Sequence, residues 1–458
     1  MTLLTNRLAG EIAPGMSAET TRLCVADDLY VFANASGNLN PLHLPLEDGD
    51  GDGEPEAIAP SMWLAALISA VLGNQLPGPG TLYEAQALTF HERARAGDEV
   101  TARAEVLEVE PEGRARLAVS VRRGDGALLV EGEASVRLPR RRVSFEAHIP
   151  GVTVRRHRHF EAILARAEPL PAIPTAVVAP EEPAALGGAL LAMRRTIIDP
   201  ILVGDPGRIR EAARAEGASL DGLEIVEAPT PVEVARRAVA LVHEGRARAV
   251  MKGHLHTDEL LGAVVARGTG LRTGRRLSHV FVMDVPGLDH LLMVTDAAVN
   301  IAPDLAAKVD IVQNAIDLAR SLGVSEPKAG ILSAVETVTP KIPSTLDAAA
   351  LSKMAERGQI TGGLVDGPLA MDNAVDAEAA RGKGLRSLVA GRADILVAPN
   401  LEAGNMLAKQ LTFIAHAEAA GVVLGARCPI VLTSRADSEM ARLASCAVAA
   451  IHALAGPA

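Results

Sequence analysis

Aromatic side chains are scarce. Trp, Tyr and Phe make up 2% of the 458 residues, while hydrophobic residues make up 48%. The core must therefore be built from Ala, Val, Leu and Ile. The net charge of −11 argues against a nucleic-acid partner for the chain as a whole. Cysteine is nearly absent: Cys24, Cys428 and Cys446 are too few and too scattered for a disulfide frame or a zinc site. They fit a reducing compartment, the cytoplasm. Long hydrophobic runs are missing too. Gly, Pro or a charge interrupts each apolar stretch before it could span a bilayer, so no membrane partner is expected. The N-terminus carries no signal-peptide pattern. No GxGxxG turn and no Walker A stretch occurs where strands end, which disfavours a dinucleotide or ATP site.

What is present falls into two regions. Residues 1–145 read as a small α+β domain. Residues 61–76 (SMWLAALISAVLGNQL) are apolar nearly all round and predict a buried helix. Residues 86–90, 99–109, 115–122 and 127–136 alternate or run apolar with β-branched residues, separated by Gly-Asp turns, and predict an antiparallel sheet around that helix. Basic clusters at 137–143 and 155–159 mark a linker over 146–159. They lack interleaved aromatics to stack bases. The acidic segment Glu47-Asp-Gly-Asp-Gly-Asp-Gly-Glu54 could mimic a calcium loop, but it lacks the EF-hand spacing and a closing bidentate Glu, so a solvated loop is expected and no metal is assigned.

Residues 160–458 change pattern. Short apolar strands alternate with helices, predicting a large α/β unit with mainly parallel strands. Polar clusters follow several strands: Lys252-Gly253, Thr295-Asp296 to Asn300, Asp366 to Asn373, and Pro399 to Asn405 ahead of a helix. The fifth, Thr433-Ser-Arg-Ala-Asp-Ser438, follows the strand predicted over 429–432 and precedes a helix predicted over 437–454. Ligands in open α/β sheets bind beyond such strand ends, so five turns of this kind predict one cleft. Ser434 and Arg435 offer a hydroxyl and a fixed cation suited to a phosphate or a developing oxyanion. The plainer alternative is that Asp437 or Ser438 caps the helix and Arg435 is a surface charge.

Two resemblances sharpen this reading. Phe32-Ala-Asn-Ala-Ser-Gly-Asn-Leu-Asn-Pro-Leu-His43 resembles the active-site stretch of the MaoC-like, R-specific enoyl-CoA hydratases, which have a hot-dog fold. The family pairs an Asp and a His to move protons for the water that adds across the double bond. Here His43 matches, but the Asp position is Asn38, whose amide cannot accept a proton. The resemblance therefore implies the fold and an impaired hydratase.

In the second region, Met251-Lys-Gly253, Thr273-Gly-Arg-Arg-Leu-Ser-His279, Asp296-Ala-Ala-Val-Asn300, Asp366-Gly-Pro-Leu-Ala-Met-Asp-Asn373, Glu402-Ala-Gly-Asn405 and Leu432-Thr-Ser-Arg-Ala-Asp-Ser438 resemble the phosphate acetyl/butyryl transferases. That family has an α/β fold in two subdomains with a cleft between them, and is usually dimeric. The order of the two regions resembles the bifunctional enoyl-CoA hydratase/phosphate acetyltransferases.

The implied reaction is acyl-CoA plus phosphate giving acyl phosphate plus CoA, with the two as substrates and no bound cofactor. Lys252, Arg276 and Arg435 become candidate anion holders, and Ser434 with Arg435 the oxyanion donors. Asp296, Asn300, Asp366 and Asn405 become candidate substrate-binding residues, with turn formation the alternative for the two Asp residues. Acetyl-specific relatives carry a base seven residues after the Ser; that position is Ala441 here. Asp437 is the nearest acid, as base or as cap. His254, His256 and His279 are expected to be core or surface histidines. The alternatives are a bifunctional enzyme with a working hydratase, a non-catalytic acyl-CoA binder and, on fold alone, a decarboxylating dehydrogenase of the isocitrate type.

Overall fold

A computed structural model describes residues 2–148, 152, 154, 157–433 and 437–456. The chain divides into two compact units, 1–154 and 155–458.

In the first unit the helix Ser61–Asn74 buries Trp63, Leu64, Ile68, Val71 and Leu72. Five antiparallel strands cover it in the order Ser17–Leu23, Glu99–Glu110, Arg114–Arg123, Leu128–Arg137, Leu82–Phe90. The strand Glu99–Glu110 alternates as its sequence requires. Val100, Ala102, Ala104 and Val106 turn into the core, and their neighbours face outward. This is the hot-dog arrangement of a helix wrapped by a curled sheet. The edge strand Ser17–Leu23 escapes a hydrophobicity reading because its sequence, SAETTRL, is mostly polar and none of its residues is buried. The supposed linker is partly built structure. Ser144–Ala147 pairs with Thr2–Thr5, and the helix Arg158–Ala167 begins inside the stretch assigned to the linker.

The second unit is organised on eleven strands in one sheet. Their order is Glu224–Glu227, Ile198–Gly204, Ile173–Val178, Ala249–Lys252, Ile430–Val431, Glu418–Leu424, Ser278–Asp284, Leu292–Thr295, Ile395–Val397, Lys328–Leu332, Leu364–Leu369. The two flanks are parallel, each linked through helices. The middle is not. Glu418–Leu424 runs antiparallel to both Ile430–Val431 and Ser278–Asp284, and Ser278–Asp284 runs antiparallel to Leu292–Thr295. The strand Glu418–Leu424 was not expected. Its sequence begins Glu-Ala-Ala-Gly, which carries little β-propensity, and neighbours on both sides hold it in place. A C-terminal helix, Glu439–Ala455, is buried along Ala441–Ile451 and packs on that strand. Its Ala-rich surface allows close approach, and Ser445 Oγ accepts the Gly421 N–H at 3.0 Å. The core matches the composition: Leu, Ile, Val and Ala, with Phe160 a rare buried ring.

Candidate active site

The best-defined polar cluster of the second unit grows from the end of Leu292–Thr295. There the chain turns tightly, and Asp296, only 2% exposed, binds its own turn. Its Oδ1 accepts the N–H groups of Ala298 at 2.9 Å and Val299 at 3.0 Å. Its Oδ2 accepts Asn300 N at 3.2 Å and Asn300 Nδ2 at 2.6 Å. Four donors thus satisfy a buried carboxylate, a geometry that orders the loop. Asn300 Nδ2 also donates to Leu277 O at 2.8 Å, and its Oδ1 accepts Arg276 Nε at 2.7 Å. The buried Asp296–Asn300 pair therefore aims an exposed guanidinium. Among the described residues, Nε carries the side-chain hydrogen bond of Arg276, and the rest of its donor fork is turned to no protein acceptor.

The helix Leu401–Phe413 closes on the same loop, N-capped by Asn400, whose Oδ1 accepts Ala403 N at 2.9 Å. A Cβ at Gly404 would lie 2.4 Å from Asp296 O, so only glycine lets the helix seat there. Asn405 Nδ2 donates to Ala297 O at 3.1 Å. Residues 402–405 thus lie inside the helix rather than ahead of it. Arg276, Asp296, Asn300 and Asn405, drawn from well-separated parts of the chain, meet here.

Asp366 does not join them. The strand Leu364–Leu369 runs through it, so it sits within a strand instead of after one, and its Oδ1 accepts Gly367 N at 2.8 Å. Leu292–Thr295 lies three strands away, about 14 Å at ordinary strand spacing.

Lys252 ends the strand Ala249–Lys252, with Nζ 3.3 Å from Gly253 O and 3.4 Å from Leu255 O. That strand pairs with Ile430–Val431, which leads into Thr433. Ser434 and Arg435 lie outside the described residues. The cap of the following helix is Ser438, whose Oγ accepts Ala441 N at 3.0 Å and donates to Glu418 Oε2 at 2.7 Å. The helix starts at Glu439, so the capping role proposed for Asp437 falls to Ser438.

The strand-end rule alone does not bring the Thr433 turn and the Asp296 loop to one edge, because their strands run in opposite directions. The register links them instead. Thr295 is paired with Val280, Val280 with Val422, and Val422 with Val431. Both turns thus leave the sheet from one level, three strands apart.

Between them lies His279, in the strand Ser278–Asp284. Its ring is 1% exposed and meets Phe281 edge-on at 4.3 Å between centroids. Burial pushes its pKa down to about 4, against an upward pull from the Asp296 charge. Its Nδ1 has no hydrogen-bond partner among the described residues. The expectation of a core histidine fits its burial, but its position beside both turns was not foreseen. Asn314 was also missed. It is buried in the helix Leu305–Ser321 and donates to Arg276 O at 3.0 Å and Ser278 Oγ at 2.9 Å. A buried amide interrupting an apolar helix face was the available signal.

In the first unit, His43 Nδ1 lies 2.9 Å from Ile58 O. With the proton on Nδ1, Nε2 is left as the basic nitrogen. Asn38 Oδ1 accepts Asn40 N at 3.2 Å, and Asn38 N donates to Ser36 Oγ at 3.2 Å. The three cysteines are buried and free, their thiols pushed up to about 12 by burial. No helix among the described residues is long and apolar enough to cross a membrane.

A family model described as "Phosphate acetyl/butaryl transferase" matches residues 230–450, and one described as "MaoC like domain" matches residues 10–124. A phosphate acetyltransferase of Rhizobium meliloti is 63% identical over 289 residues, 63% of this chain and 91% of its own length. A phosphate butyryltransferase of Clostridium acetobutylicum is 45% identical over 276 residues, 60% of this chain and 91% of its own. The solved branched-chain phosphotransacylase from Enterococcus faecalis V583 is 31% identical, covers 61% of this chain and 99% of its own, and superposes with a TM-score of 0.54.

Proposed function

The chain belongs to the phosphate acetyl/butyryl transferase family, and we propose that its second unit moves an acyl group reversibly between the sulfur of CoA and inorganic phosphate. The reading rests on one observation above all: two chains with such an activity in their names are 63% and 45% identical to this one over 289 and 276 residues.

In the proposed reaction a phosphate oxygen attacks the thioester carbonyl, a tetrahedral oxyanion forms, and the thiolate leaves. Arg276 holds a phosphate group of either substrate, its fork aimed by Asn300. Asp296 and Asn405 hold the loop that carries Asn300. Lys252 serves as a second anion contact. Ser434 and Arg435 stabilise the oxyanion, a role taken from their motif alone. Asp437 deprotonates the CoA thiol in the reverse direction, while Ser438 keeps the cap. Asp366 supports the distant flank of the sheet. We place the enzyme in the cytoplasm as a homo-oligomer without nucleic-acid or membrane partners, and set the domain boundary between 148 and 157.

For the first unit we propose acyl-CoA binding with little hydration, because Asn38 supplies no carboxylate. Incubating the chain with acetyl-, propionyl- or butyryl-CoA and phosphate, and trapping acyl phosphate as hydroxamate, tests the transferase reading. Hydroxamate that requires phosphate supports it. Thiol release without acyl phosphate makes the unit a thioesterase and refutes it.

A further inference from the structure

The segment after His43 was expected to be a solvated acidic loop. Its fold is more specific. One carboxylate oxygen from each of Asp48, Asp50, Asp52 and Glu56 lies within 4.8 Å of one from each of the others. The three Asp residues are exposed, as acidic clusters commonly are. Glu56 is different: it is 7% exposed, and its Oε1 is buried with no hydrogen-bond partner among the described residues. A buried carboxylate oxygen left unpaired beside three more carboxylates is a costly arrangement unless a cation joins them.

We propose that Asp48, Asp50, Asp52 and Glu56 form a calcium site that braces the His43 segment. Four carboxylates make a hard, all-oxygen donor set, which selects calcium or magnesium over softer metals. Their mutual separation, under 4.8 Å, admits either ion, and the loop spacing favours calcium.

The spacing agrees. Counting Asp48 as position 1 of a calcium loop, Asp50, Asp52 and Glu56 take positions 3, 5 and 9, and Glu54 takes the position that supplies a backbone carbonyl. Gly53 falls at position 6, where the loop turns sharply, and has φ +95°. Position 12 is Ala59, so the closing bidentate ligand is missing and water must complete the shell.

The loop is clamped to the His43 segment at its base. Ile58 N donates to Leu42 O at 2.9 Å, and Ile58 O binds His43 Nδ1. A Cβ at Gly49 would lie 2.4 Å from Leu42 N, so the loop lies flush on the same segment. A cation drawing the four carboxylates together would fix the orientation of His43.

Calorimetric titration of the chelator-treated full chain with calcium chloride tests the site. One calcium per chain is expected, with a dissociation constant of about 10⁻⁶ to 10⁻³ M and at least about tenfold weaker magnesium binding. The melting temperature should rise with calcium. Asp50→Asn and Glu56→Gln should each weaken calcium at least about tenfold. Both should leave the calcium-free melting temperature unchanged or higher, since each relieves repulsion. No saturable binding up to about 10 mM calcium would overturn the proposal. So would wild-type calcium affinity in both folded variants, and equal magnesium affinity would overturn the assignment to calcium.

Discussion

The two units arrange their polar residues in opposite ways. In the first, the residues from Ser36 to His43 are consecutive, and their hydrogen bonds run mostly to neighbours two to four positions away. In the second, Arg276 and Asn405 reach the loop that carries Asn300 from distant parts of the chain, and a buried carboxylate orders that loop. A contiguous motif can keep its shape after losing its chemistry. Asn38 accepts the Asn40 N–H, as an aspartate could, while being unable to accept a proton. A discontinuous network has no such latitude, because each side chain positions another. The contrast predicts a site that tolerates substitution in the first unit and one that does not in the second.

The largest effect is expected at Arg435. Arg435→Ala should lower phosphate-dependent acyl transfer about 10²–10³-fold, the usual cost of one oxyanion donor, without altering any hydration by the first unit. A folded variant with wild-type turnover would remove Arg435 from the mechanism. Next comes the repair of the first unit. Asn38→Asp restores a carboxylate in the His43 segment and should raise crotonyl-CoA hydration by about 10²-fold, the lower end of what general acid–base assistance contributes. Unchanged hydration would place the defect elsewhere.

A smaller effect tests the network. Asn300→Ala frees Arg276 and strips donors from Asp296 and Leu277 O. The KM for phosphate should rise about tenfold, with stability lower by about 2 kcal/mol. An unchanged KM would mean that Arg276 does not hold phosphate. The mildest effect concerns His279. The folded chain keeps its ring neutral down to about pH 4, while an unfolded histidine takes up its proton near its ordinary value of 6.5. The unfolded state therefore binds more protons across that window, and stability should fall as pH falls through it. His279→Phe should flatten this dependence in urea unfolding followed from pH 7 to 4. An unaltered slope would assign it to other groups.

Much of the fold was legible because apolar strands declare themselves. The helix Ser61–Asn74 and the strand Glu99–Glu110 stand where periodicity put them. The polar strand Ser17–Leu23 and the Gly-containing Glu418–Leu424 did not, since neighbours rather than composition make them strands. The second of these reverses the centre of the sheet, so an expectation of strand ends converging at one edge could not hold. Asp296 and Asn300 were legible as a turn. Their grip on Arg276 was not, because that contact links residues 24 positions apart. Asp366 shows the converse: a motif picked out by resemblance whose side chain, among the described residues, binds only its own neighbour.

One preparation assayed for two activities tests the central claim most directly. The wild-type chain, given butyryl-CoA with phosphate and, separately, crotonyl-CoA without it, should form butyryl phosphate readily and hydrate the crotonyl double bond at a rate near background. Rapid hydration that His43→Ala abolishes, in a chain that makes no acyl phosphate, would contradict the account in both units.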